Sequence, residues 1–195
     1  MAALRALVLA AVALLVLACG ADRPAFHGAD LAGADFGTRL ELTDHTGKPR
    51  TLGDFRGKVV VIFFGYTQCP DVCPTNMIAM AEAMRQLGDD AGKVQILFVS
   101  VDPERDTPAL LAQYVPSFHP SFLGLYGTVE QTAAAAKEFR VFFQKQPGST
   151  PTTYTIDHSA GSYVIDPSGK LRLYLKHGES AANVAEDLRR LIAGG

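Results

Sequence analysis

A basic excess is missing from this sequence. Its 195 residues carry 18 Lys and Arg against 20 Asp and Glu, a formal charge of −2. With no basic run or tail, the electrostatic footprint of a nucleic-acid binder is absent and no nucleic-acid partner is expected. Gly-x-x-x-x-Gly-Lys and Gly-x-Gly-x-x-Gly are also missing, which removes the usual signals of nucleotide chemistry. Cysteine is scarce, with three residues, so the chain is not a disulfide-knit scaffold. Beyond the N-terminus no stretch reaches the roughly 20 apolar residues that a membrane-spanning helix needs, and no internal repeat is visible. What is present, 48% hydrophobic and 19% charged residues, suits one globular domain with a sizeable core.

The N-terminus reads as an export signal. Arg5 precedes an apolar run from Ala6 to Ala18, a charged n-region followed by a short h-region. The run ends Val16-Leu17-Ala18-Cys19, which resembles a bacterial lipobox. The expected organisation is therefore a lipoprotein signal peptide over residues 1–18, a flexible Gly/Ala/Asp-rich tether over 19–37, and a folded domain over 38–195. Acylation of Cys19 would hold that domain at a membrane surface, facing the periplasm or the outer side of the cytoplasmic membrane. Setting Cys19 aside leaves Cys69 and Cys73, a thiol pair in an oxidising compartment.

Patterning then outlines the domain. Residues 38–43 and 49–52 read as an N-terminal hairpin around Asp44-His45-Thr46-Gly47. Val59-Val60-Val61-Ile62-Phe63-Phe64 suits a strand buried on both faces of a parallel sheet, and 94–101 reads as a second. Helices are expected at 75–87, 107–114, 128–139 and 179–192, with short strands at 122–126, 162–165 and 171–175. Asp102-Pro103 is expected to end a strand and shape a loop, and residues 146–153 to form a Pro/Gly/Ser/Thr loop. Met77, Met80 and Met84 fall at helical spacing, the pattern of core packing. The order gives an α/β fold: a central mixed sheet flanked by helices, a βαβ unit, a ββα unit, and an inserted strand/helix segment near residues 118–157, a thioredoxin-like arrangement whose specific topology rests also on the resemblance given below.

The informative stretch is Gly65-Tyr66-Thr67-Gln68-Cys69-Pro70-Asp71-Val72-Cys73-Pro74-Thr75, between a buried strand and a helix. Sites gather at the carboxyl ends of strands in such sheets, and a helix N-terminus favours thiolate. Cys-x-x-x-Cys spacing sets the two residues about one helical turn apart, with Cβ atoms about 5–6 Å from each other. Such a pair can bridge a soft metal ion or, after rearrangement, close a disulfide. Tetrahedral zinc needs four ligands; Cu(I) is soft and accepts fewer, so two thiolates and one imidazole suit it. Of five histidines, His27 falls in the tether, and His45, His119 and His177 in turns or loops. His158 stands directly before the strand at 162–165, where the topology turns it toward Cys69 and Cys73. Asp71, between the cysteines, and Asp157, before the histidine, are placed to orient a ligand from behind.

With these residues the chain resembles the Sco/SenC family of copper-handling proteins, in its bacterial lipoprotein form. The resemblance runs over residues 38–192 and rests on the cysteine segment, on Ser100-Val101-Asp102-Pro103-Glu104-Arg105-Asp106-Thr107 and on Asp157-His158-Ser159. It implies a thioredoxin-like fold and Cys69, Cys73 and His158 as copper ligands. It further implies a role in maturing the dinuclear copper centre of cytochrome c oxidase, with the copper-bearing oxidase subunit and a copper donor protein as partners. One departure is Gln68, where many relatives carry His. Two other functions compete. Thiol–disulfide exchange would use Cys69 and Cys73 as a redox pair, although the spacing differs from Cys-x-x-Cys. A peroxidase is hinted at by Val72-Cys73-Pro74-Thr75, but no partner arginine can be assigned from the sequence.

Overall fold

The computed structural model describes residues 26–150 and 153–195. The signal segment, Cys19 and the tether up to residue 25 lie outside the described residues.

Two seven-residue strands form the centre. β4 (Val59–Gly65) and β5 (Val94–Ser100) run parallel with Val59 beside Val94 and Gly65 beside Ser100. Both are buried along their whole length, as β-branched and aromatic runs without polar alternation require. The remaining strands are β1 (Ala29–Asp30), β2 (Glu41–Asp44), β3 (Pro49–Thr51), β6 (Leu123–Tyr126), β9 (Ser162–Ile165) and β10 (Leu171–Leu175). They extend the sheet in the order β1-β10-β9-β4-β5-β6-β2-β3. β6 joins β5 in parallel, whereas β9 lies antiparallel to β4, so the sheet is mixed.

Helix α1 (Val72–Leu87) follows β4, α2 (Pro108–Tyr114) follows β5, α3 (Val129–Glu138) lies in the inserted segment, and α4 (Ala181–Ile192) closes the chain. Successive β4 side chains point to opposite faces. Phe63 meets Phe98, which in turn stacks on Tyr114 of α2. Phe64 meets Phe139, just after α3, and Tyr163. Met77, Met80 and Met84 on α1 are buried, as their spacing predicts. Each of α2, α3 and α4 begins with a threonine or serine whose hydroxyl accepts the backbone N–H three residues on, the local capping device. This mixed sheet covered on both faces is the thioredoxin-like α/β fold expected from the order of elements.

Two stretches depart from expectation. The tether reading fails from Phe26 onward. β1 pairs with β10, Ala29 beside Tyr174, and the fully buried carboxylate of Asp187 on α4 accepts the backbone N–H groups of His27 (3.0 Å) and Gly28 (2.8 Å). Asp30 pairs with Arg172, Asp35 with Arg140, and the backbone N–H of Gly37 donates to the Glu138 carbonyl. A Gly/Ala/Asp composition shows no period, so nothing local announces that a distant helix will hold it. The second departure is a separate two-stranded sheet of β7 (Phe143–Gln146) and β8 (Thr155–His158), which flanks the stretch read as a loop. Polar residues dominate both strands, so the alternation that marks a half-buried strand is absent.

Candidate metal centre

β4 ends at Gly65, a position with no room for a side chain. A Cβ there would lie 2.8 Å from the Cys73 sulfur, 2.8 Å from the Phe63 ring and 3.0 Å from the Phe98 ring. The missing side chain lets the first turn of α1 settle against the strand end. Cys73 is fully buried there, while Cys69 is partly exposed. The intervening turn is fixed by the Cys69 N–H donating to the Tyr66 carbonyl (3.2 Å) and by the Cys73 N–H donating to the Cys69 sulfur (3.4 Å).

His158 comes from the last residue of β8, set opposite Phe143. Its Nε2 lies 3.4 Å from the Cys73 sulfur. Its Nδ1 lies 3.0 Å from the Ser159 carbonyl oxygen. A carbonyl only accepts, so Nδ1 carries the proton and Nε2 faces the sulfurs with its lone pair. The ring is wedged edge-on between Phe63 and Tyr66, both at centroid distances of 5.9 Å. The ligating atoms of Cys69, Cys73 and His158 all lie within 4.8 Å of one another, the one such cluster among the described residues. They open onto a shallow cleft of ≈ 370 Å³ walled by Tyr66, Val72 and Ile156.

The two sulfurs differ in charge. The Cys73 thiol donates toward Cys69, joined by backbone N–H groups of residues 71 and 73, and these hold its thiol well below the ordinary range despite partial burial. Cys73 is pushed up, first by its hydrogen bond to Cys69 and then by burial. In the metal-free pair one thiolate and one thiol share a proton, with the charge on the sulfur nearer solvent.

Asp71 and Asp157 do not take up the orienting roles expected of them. Asp71 sits at the N-cap of α1, exposed, and accepts from the Thr75 hydroxyl at 3.3 Å. Asp157 accepts from the Gln146 amide at 2.6 Å. In a strand, neighbouring side chains point to opposite faces, so Asp157 faces away from the ring beside it. Of the remaining histidines, His27 pairs with Glu186, His45 accepts the Gly124 N–H and His119 lies against Phe122, while His177 is exposed just after β10.

Sequence reasoning missed a cluster directly behind the cysteine loop. Asp102 and Pro103 do end β5, but Asp102 is fully buried, and it receives the Arg105 Nε–H (2.5 Å) and the Tyr154 hydroxyl (2.6 Å). Arg105 Nη1 donates to the Gln68 amide oxygen (3.1 Å) and the Tyr154 carbonyl (2.8 Å), and the guanidinium lies 3.5 Å from the Tyr154 ring centre. Asp106, also buried, accepts from the Thr67 hydroxyl and the Ser100 hydroxyl, both at 2.6 Å. Burial pushes the Asp106 carboxyl up. The sequence signal was four charged residues in the run 102–106 directly after a buried strand, inside the Ser100–Thr107 motif that carries the family resemblance, with nothing to say which of them turn inward.

Comparison with known proteins agrees with this geometry. The SCO1/SenC family model matches residues 28–193. The mitochondrial SCO2 homolog of Mus musculus is 42% identical over 156 residues, 79% of this chain and 61% of that protein. The mitochondrial SCO1 homolog of Homo sapiens is 36% identical over 178 residues, covering 86% of this chain and 56% of the relative. The chain thus spans about three-fifths of the length of the curated relatives it matches. Among solved structures, copper-bound ScoI of Bradyrhizobium japonicum superposes with a TM-score of 0.74 at 41% identity, covering 80% of this chain and 99% of that one. Apo Sco1 of Thermus thermophilus gives 0.77 at 40% identity, covering 86% and 97%. A match that runs through the whole folded domain, at this identity and on this fold, means that the chain belongs to the SCO1/SenC family.

Proposed function

We propose that this protein is a copper-binding metallochaperone that delivers copper to, or prepares, the dinuclear copper centre of cytochrome c oxidase. The observation that carries the reading is the convergence of two sulfurs and one imidazole nitrogen within 4.8 Å, beside an open cleft. Cys69, Cys73 and His158 are the copper ligands. The donor set is soft and three-membered, which suits Cu(I) and is one ligand short of structural zinc. A third-ligand site open on one side leaves room for an incoming ligand from an acceptor, so the ion can be handed over by exchange. Copper bound to the similar ScoI of Bradyrhizobium japonicum supports the choice of metal, and family membership supports the oxidase subunit as acceptor and a separate protein as copper donor. No helix among the described residues is long and apolar enough to cross a membrane; acylation of Cys19 supplies the anchor, with the domain outside the cytoplasmic membrane.

Titration of the reduced protein with Cu(I), read by X-ray absorption, should count one copper with two sulfur neighbours and one nitrogen. An unchanged affinity and coordination in His158→Ala would overturn the ligand set. Mass analysis of membrane-extracted protein should find acyl groups on Cys19; unmodified protein in the soluble fraction would overturn the anchor.

One observation favours a second role. The pairing of a partly exposed thiolate at Cys69 with a buried thiol at Cys73 is that of an attacking and a resolving cysteine. Metal-free protein that turns over a disulfide substrate vigorously, and still does so as His158→Ala, would favour thiol–disulfide exchange over metal delivery.

A further inference from the structure

The histidine half of the site has a weak foundation. β7 and β8 form a sheet of their own, with no strand pairing to the eight-stranded one. A two-stranded hairpin is marginal in water and needs tertiary support to persist. Beside the buried Ile156 side chain and a Lys145–Glu104 ion pair from β7, three hydrogen bonds tie the start of β8 to the body: the Tyr154 hydroxyl on Asp102, the Tyr154 carbonyl on Arg105, and the Ile156 N–H on the Tyr66 hydroxyl at 3.2 Å. The first two meet at one ion pair. Arg105 and Asp102 are largely withdrawn from water, their side chains 12% and 0% exposed. A buried pair of this kind adds little net stability compared with apolar packing. Its distinctive property is geometric, because a guanidinium is a rigid planar fork that fixes the separation of the groups it bonds. Here one nitrogen of that fork touches both halves of the site: Gln68, next to Cys69, and Tyr154, four residues before His158.

We propose that Arg105, braced by Asp102 and Tyr154, is a positioning residue that holds the His158 hairpin at ligating distance from the cysteine loop, and that it acts on copper only through His158. The inference rests on the ligand set proposed above and goes beyond it by assigning the control of the imidazole arm.

The test is a double-mutant cycle on Cu(I) affinity with a metal-free readout beside it. Arg105→Gln should weaken copper binding about tenfold, the lower end of what loss of a residue supporting a metal ligand brings about. The same substitution made on His158→Ala should change affinity less than about twofold, because coupled residues are non-additive whereas independent ones add. Arg105→Lys keeps the charge but not the fork, and should recover only part of the loss. X-ray absorption of copper-loaded Arg105→Gln should show the nitrogen neighbour weakened with both sulfurs retained. In reduced, metal-free protein, hydrogen exchange should accelerate at residues 155–158 and stay unchanged along α1. Tyr154→Phe removes only one hydroxyl; it keeps the test available if Arg105→Gln folds poorly, and should show the same pattern more weakly.

Equal losses in the wild-type and His158→Ala backgrounds would overturn the proposal, as would unchanged exchange at residues 155–158. An unaltered copper affinity in His158→Ala alone would instead overturn the ligand set, and the exchange measurement would still decide the role of Arg105 in placing the hairpin.

Discussion

Cys69 and Cys73 stand four residues apart at the start of one helix, whereas His158 is 85 residues beyond Cys73 in sequence and 3.4 Å from it in space. The cysteine half is held by its own backbone. A strand end, a turn and the first turn of α1 fix both sulfurs, and the backbone N–H of one cysteine bonds the sulfur of the other. The histidine half hangs on a small hairpin whose placement depends on side chains from after β5 and from the cysteine loop. The sulfurs are thus set by local geometry and the nitrogen by tertiary contacts, which lets one part of a metal trap stay rigid while the other is adjusted.

The largest expected effect comes from breaking the rigid half. Cys69→Ala or Cys73→Ala removes a coordinating sulfur and should lower Cu(I) affinity by more than the ~100-fold that loss of a supporting residue brings, measured by competition with a chelator. His158→Ala should fall short of that, because both sulfurs remain; a loss equal to that of Cys69→Ala would erase the distinction between the halves. Gly65→Ala drives a methyl group into the Cys73 sulfur and the Phe63 ring. It should destabilise by about 1–3 kcal/mol, as overpacking does, with a fall in Tm and in copper affinity together.

The pH dependence of the reduced, metal-free protein sharpens the contrast further. Cys69 is lowered from the usual thiol value of 9.0, so folding releases its proton, and this contribution to stability grows as pH rises toward 9 and is lost as pH falls through the lowered value. Cys73 is raised, so its contribution is full below 9 and declines above it, where the unfolded chain ionises and the folded site does not. The pair should give a stability maximum near the ordinary thiol pKa. Denaturant unfolding from pH 5 to 10 checks this, and Cys69→Ala should flatten the rising limb. The smallest effect on the site is expected from Asp187→Asn. Losing a buried charged acceptor for two backbone N–H groups should weaken stability by about 1–3 kcal/mol, with copper affinity unchanged within about twofold, since the N-terminal strap touches neither half.

Much of the architecture could be read in advance because its causes are local. The uninterrupted apolar runs of β4 and β5 admit little but doubly buried strands, and the methionine spacing of α1 admits a packed helix. The four-residue cysteine spacing at a strand-to-helix junction already implied a shared face. Three features besides the Asp102–Arg105–Asp106 cluster escaped. β7 and β8 carry too few apolar residues to display a period. The segment 26–37 is held by backbone hydrogen bonds to Asp187 and to the edge of β10, which leave no trace in its own composition. Asp71 and Asp157 were good candidates by adjacency, yet the strand turns Asp157 away from the ring beside it, and the Ser159 carbonyl sets the tautomer instead.

The amino-acid sequence by itself determined the sheet centre, the α/β order and the pair of sulfurs, because each depends on residues within one or two turns of chain. The order of elements also singled out His158, but only the tertiary structure decided at what distance it meets the sulfurs, and that Arg105 joins the loop of one ligand to the strand of the other. Those are contacts between segments tens of residues apart, brought together by burial of the whole core, and no short-range pattern records them.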